Sequence, residues 1–117
     1  MAEYRQTEKE FLEQVVDLAL LTGWKVHHIF EQRVYARRTD KGFPDLVMVK
    51  SLSYPIKVEP IIRPRLIFAE LKSEKGKLTE AQLAWFDELK ALGNCEVYCW
   101  KPSDWLAIVE ILKGEKV

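Results

Sequence analysis

Three ionisable residues stand where a plain strand pattern would place apolar ones. Asp45 follows Pro44 and begins the run DLVMVK (45–50). Glu70 and Lys72 lie inside RLIFAELK (65–72), the most apolar strand-like run of the chain. Strand period two puts Glu70 and Lys72 on one face with Phe68, and Ala69 and Leu71 on the other. Burying a carboxylate and an ammonium in a central strand is costly unless they pair or bind a cation. Strand ends converging on one sheet edge bring Asp45 beside Glu70. A fourth acid, Glu8, sits mid-arc on the apolar face of the first helical segment. With Glu8 at zero, Leu12, Val15, Val16 and Ala19 fall within about 80° of it and Phe11 at about −60°, while Glu10, Glu13, Gln14 and Asp17 fall opposite. Glu8 is therefore expected to point at the sheet. Carboxylates converging on one point repel unless a cation neutralises them. Hard oxygen ligands favour Mg²⁺ or Mn²⁺. A lysine at the rim can hold or deprotonate a water, or stabilise charge growing on a phosphate. The chemistry implied is metal-assisted hydrolysis of a phosphodiester.

The elements that must position these residues follow from periodicity and punctuation. A helix is expected over Thr7–Thr22, ended by Gly23. Strands are expected at 24–30, 45–50, 65–72 and 95–101. A basic connection (31–42) joins the first two, punctuated by Gly42 and Pro44. Residues 51–64, with Pro55, Pro60 and Pro64, read as a long hairpin excursion with an added short strand at IKVEPII (56–62). A second helix runs from Thr79 to Leu92, closed by Gly93, and a last one opens at Pro102 or Ser103. The order is αβββαβα. The step from 65 to 101 should be a crossover between parallel strands, and the earlier strands an antiparallel meander. The fold class is α/β, one mixed β-sheet flanked by helices, as a single domain over 1–117.

Composition sets limits. The chain has 117 residues, with 18 Lys plus Arg against 18 Asp plus Glu, so it does not bind nucleic acid by bulk charge as a histone-like protein does. The charge is nevertheless segmented, with net −3 over residues 1–24, +6 over 25–77 and −3 over 78–117. The basic block contains Asp45, Glu70 and Lys72. Arg33, Arg37, Arg38 and Lys41 precede Asp45, and Lys75 and Lys77 follow Lys72; these are candidates for holding phosphates rather than reading bases. The plain alternative for each is a solvated loop residue. Cys95 and Cys99 share a strand face about 13 Å apart, too far for a disulfide. Two reduced thiols, no signal core and no long apolar run lead to the expectation of a cytoplasmic, non-membrane protein.

Pro44-Asp45 followed by Glu70-x-Lys72 resembles the PD-(D/E)xK nuclease signature. GFPDLV (42–47), FAELK (68–72), GKLTEAQ (76–82) and WKPSDW (100–105) are similar to the VRR-NUC branch, whose small stand-alone members are often encoded by phages and bacteria. The resemblance spans about Glu8 to Leu112 and implies a restriction-endonuclease-like fold, related to Holliday-junction resolvases and Fanconi-type structure-selective nucleases. By position it implies that Asp45, Glu70 and the Leu71 backbone carbonyl hold Mg²⁺ or Mn²⁺, with Glu8 as the first-helix acid, and that Lys72 is the catalytic lysine. Gln82 matches a glutamine near the active site, and His28 a histidine of the first strand. The 51–64 excursion is longer than the hairpin of that pattern.

Each reading has a plainer counterpart. Asp45 could cap a turn beside a structural Glu70–Lys72 pair. Glu8 could be a first-turn acid favoured by the helix dipole, with Glu10 or Glu13 as the helix acid instead. Thr79-x-x-Gln82 is also a capping box. The function expected is a divalent-metal-dependent endonuclease acting on duplex or structured DNA, such as branches, flaps or junctions, in a bacterial or phage-infected host cytoplasm. A homodimer offering two sites is a further expectation. The alternatives are a non-catalytic DNA-binding or replication-accessory module of the same fold, and a partner-binding protein using Ile56, Val58, Ile61 and Ile62.

Overall fold

The computed structural model describes residues 6–28, 41–50 and 64–114. The expectations for Arg33, Arg37 and Arg38, and for the strand and apolar residues at 56–62, lie outside the described residues. The elements run α1 (Glu8–Leu21), β1 (Lys25–His28), β2 (Leu46–Lys50), β3 (Arg65–Leu71), α2 (Glu80–Leu92), β4 (Glu96–Trp100), a 3₁₀ turn (Pro102–Asp104) and α3 (Trp105–Lys113). The four strands form one mixed sheet in the order β1-β2-β3-β4. The β1–β2 and β2–β3 pairs are antiparallel, and β3–β4, connected through α2, is parallel. This is the expected αβββαβα order.

α1 starts where Thr7 can cap it. The Thr7 hydroxyl accepts from the Glu10 N–H at 3.0 Å, and the Glu10 carboxylate accepts from the Thr7 N–H at 2.9 Å. The helix buries Phe11, Val15 and Ala19, spaced four apart on one stripe. It stops at Gly23, whose φ of +96° suits a residue without a side chain. Burying a side chain such as Phe11 contributes about 2–3 kcal/mol.

That stripe packs on one sheet face. Leu46 and Met48 of β2 and Ile67, Ala69 and Leu71 of β3 share a core cluster with Trp24, Trp100, Ile108 and Leu112. The period of two therefore sends Phe68 and Glu70 to the opposite face, beneath α2. At the far end of the sheet Arg65 ties the core to α3. Its guanidinium grips Glu96 at 2.6 and 2.8 Å, donates to the Ile111 carbonyl at 2.9 Å, and lies 5.0 Å from the Trp24 ring centroid. Trp24 in turn donates its indole N–H to the Leu112 carbonyl at 2.9 Å.

Several element boundaries differ from the expected ones by a residue or more. Asp45 precedes β2 rather than opening it. Cys95 falls outside β4, its thiol donating to the Leu89 carbonyl at 3.5 Å. The last helix begins as a 3₁₀ turn, because the Asp104 N–H reaches the Lys101 carbonyl at 2.8 Å while its carboxylate takes the Lys101 N–H at 2.9 Å. Among the described residues no helix is long and apolar enough to cross a membrane.

Candidate active site

The register places the expected residues at one end of the sheet. Leu46 pairs with Ala69 in an antiparallel ladder, so Asp45, one step before, meets the end of β3 at Glu70 and Leu71. The Asp45 carboxylate accepts from the Leu71 N–H at 2.9 Å, which anchors one of its oxygens to β3. Glu70 is only 4% exposed. Its Oε2 accepts from Gln82 Nε2 at 3.0 Å and lies 3.8 Å from the Lys72 ammonium. Its Oε1 is buried with no hydrogen-bond partner. Lys72 follows the last residue of β3, its N–H extending the ladder to the Trp100 carbonyl at 2.9 Å.

This environment is hard on the Glu70 carboxylate. Burial, then the charge and hydrogen bonding of Asp45, push its pKa up to about 8, against the smaller opposing pull of Lys72. At neutral pH Glu70 therefore tends to keep its proton. A cation would relieve the same repulsion and satisfy the orphaned Oε1. Two carboxylates are a sufficient protein share for Mg²⁺ or Mn²⁺, which keep several water ligands. Among the described residues no three acidic, histidine or cysteine side chains converge into a complete metal cage. The residues fit a hard cation held by Asp45, Glu70 and water.

Beside this pair opens a cleft of about 740 Å³ between α1 and the sheet end, lined by Asp45, Leu71, His28 and the flank of α1. Glu8 lines it together with Asp45 and Leu71 and is exposed there rather than buried. Glu10 belongs to the Thr7 capping box and is not on the cleft wall, whereas Glu13 and Asp17, expected to face away, are on it. His28 is half-buried, and burial lowers its pKa against the raising influence of Asp45, so the ring is neutral at pH 7. His27 is exposed on the other face. Lys41, Lys75 and Lys77 are exposed.

Gln82 both caps α2 and contacts Glu70. Its Oε1 accepts from the Thr79 N–H at 2.8 Å and completes the α2 capping box, while its Nε2 reaches Glu70. The loop before Asp45 is fastened to the same turn. Gly42 has φ +87°, and a Cβ there would come 2.6 Å from the Ala81 carbonyl carbon and 2.7 Å from the Gln82 nitrogen. Phe43 then meets the Trp85 ring edge-on at 4.9 Å and Phe68 at 5.9 Å. Sequence reasoning found the glycine as punctuation and missed this contact; the adjacent Gly-Phe before Pro-Asp was the available signal. Cys99 was also missed. It pairs in register with Glu70, and burial together with that carboxylate pushes its thiol pKa up.

Comparisons with curated proteins and with solved structures returned no match. The family model of the VRR-NUC domain matches residues 5–101, a span that includes Asp45, Glu70, Lys72 and Gln82. With most of its length matched, the chain belongs to the VRR-NUC family, a nuclease-type domain.

Proposed function

We propose that the domain is a divalent-metal-dependent endonuclease that hydrolyses DNA phosphodiester bonds, with selectivity for branched, flap or junction DNA. The observation that carries this reading is the buried Glu70 beside half-buried Asp45, with one Glu70 oxygen orphaned and Lys72 at 3.8 Å. Asp45, Glu70 and the Leu71 carbonyl are the residues that would hold Mg²⁺ or Mn²⁺, with Glu8 or Glu13 reaching in from the cleft wall. A bound cation at this point supplies Lewis-acid stabilisation of the scissile phosphate and lowers the pKa of an attacking water. Lys72 would hold that water, or donate to the phosphate oxygen on which charge grows. Gln82 fixes the Glu70 carboxylate so that its free oxygen faces the site. Lys41, Lys75 and Lys77 would contact flanking phosphates, giving salt-dependent binding without base reading. Two copies of so small a domain would cover both arms of a branch.

The test is a panel of duplex, flap, four-way-junction and RNA substrates, each with Mg²⁺, Mn²⁺ or EDTA. Metal-dependent cutting of branched DNA, lost in Asp45→Asn and strongly reduced but still measurable in Lys72→Ala, is the expected result. Equal cutting of plain duplex would remove structure selectivity, and cutting that persists in EDTA would remove the metal.

A further inference from the structure

The loop 73–77 between β3 and α2 carries no element of its own, yet it is fastened to another part of the chain. Glu74 Oε2 accepts from the backbone N–H of Ser103, 29 residues away, in the 3₁₀ turn that starts the last helical segment. A first-turn N–H of this kind is ordinarily satisfied by the capping residue itself. Here the residue before the turn is Lys101, whose side chain has no acceptor, so Glu74 supplies the cap from another part of the chain. The same loop turns tightly, Gly76 N–H donating to the Ser73 carbonyl at 2.9 Å. That turn lays Gly76 on the stem of Lys72. A Cβ at Gly76 would come 3.1 Å from Lys72 Cβ and 3.3 Å from Cδ. The Lys72 side chain is thus confined between its own loop and Glu70, and the loop is confined by Glu74.

We propose that Glu74 is a positioning residue for Lys72. By capping Ser103 it anchors the loop, the loop presses Gly76 on the Lys72 stem, and the ammonium is held at Glu70. The functional consequence rests on the nuclease reading above; the positioning itself does not. Glu74 is absent from the cleft lining and contacts the Ser103 N–H, so the route to the site that its variants probe is the one through Lys72. A carboxamide retains the acceptor that Ser103 needs, which separates capping from charge.

Two readouts test this. In metal-free protein labelled with ¹³C at the lysine ε-carbon, the Lys72 resonance, assigned with Lys72→Arg, should move toward the free-lysine position in Glu74→Ala. It should keep its wild-type shift in Glu74→Gln, which also serves if the alanine variant does not fold. An unchanged Lys72 signal in Glu74→Ala, or a glutamine variant behaving like alanine, overturns the proposal. In cleavage assays Glu74→Ala should lower kcat about tenfold, a scale set by slight misplacement of a catalytic group, with KM within about twofold. In a Lys72→Ala background it should cause no further loss. An equal loss in both backgrounds overturns positioning through Lys72. A wild-type protein that cuts nothing would instead sink the nuclease reading, and the resonance would still decide the positioning.

Discussion

One side chain joins the start of α2 to the buried acid of β3: Gln82 accepts from the Thr79 N–H at 2.8 Å and donates to Glu70 Oε2 at 3.0 Å. Structure and chemistry are therefore coupled at this residue, and two substitutions separate them. Gln82→Ala removes both contacts and should cost about 1 kcal/mol of stability, from the lost cap and the lost hydrogen bond. Gln82→Glu restores the capping acceptor but brings a third carboxylate to Glu70. Denaturant melts should show the glutamate variant recovering helix capping, while cleavage stays at least about tenfold below wild type. Full activity in Gln82→Glu would contradict the role assigned to the amide.

Gly42 and Gly93 make a matched pair for testing close approach. Both have positive φ, +87° and +73°, but a Cβ at Gly93 meets nothing within 4 Å whereas one at Gly42 would strike the α2 backbone. Gly93→Ala should cost about 1 kcal/mol, the conformational penalty alone. Gly42→Ala should cost more than about 2 kcal/mol and lower activity, because the first turn of α2 carries Gln82. Equal melting temperatures for the two variants would contradict the packing.

Arg65 stabilises the end of the sheet away from the site. It binds Glu96 through two nitrogens while also donating to the Ile111 carbonyl and lying against Trp24. Lysine cannot reproduce that planar fork. Arg65→Lys should destabilise by about 2 kcal/mol, as loss of charge-assisted bonds does. Cleavage per folded molecule should remain unchanged, which a melt combined with an activity titration would reveal.

The Glu70 pKa near 8 makes stability depend on pH in the direction opposite to a salt-bridged acid. Its folded value lies above the ordinary 4.5, so between the two the folded chain holds a proton that the unfolded chain has released. The group's contribution to stability is complete below the ordinary value and is lost as pH rises through about 8. Metal-free protein should therefore melt at lower temperature at about pH 9 than at about pH 7, a window above the titration of His28. Glu70→Gln should flatten that slope. A slope of equal size in the variant would assign the effect to another group.

The sheet and its order were legible because three local signals agreed: the capping box at Thr79, glycines at 23 and 93, and strand-like runs in β2 and β3; the capping box at Thr7 emerged only in the structure. Asp45, Glu70 and Lys72 stood out because charge in an apolar strand needs a compensating partner, and spacing placed them at one edge, whereas Gln82 was pointed to by the family resemblance and its capping position. Glu13 and Asp17 were placed on the face away from the sheet, yet they line the cleft with Glu8. A helical wheel assigns a face without knowing where the sheet ends or which flank borders a cleft. The contact of Gly42 with Ala81 and the Glu74 cap on Ser103 are tertiary, and no spacing within one segment encodes them.

The central claim is that Asp45 and Glu70 form a cation site that drives cleavage. Its most direct measurement is the single-turnover cleavage rate of a labelled flap DNA against Mg²⁺ concentration, for the wild type and for Glu70→Gln with its fold confirmed by a melt. The expected result is a saturable, Mg²⁺-dependent rate in the wild type and a loss of at least about 100-fold in the variant, of the order seen when charge stabilisation at a reacting phosphate is removed. A wild-type rate independent of Mg²⁺, or a variant that cuts as fast as the wild type, would contradict it.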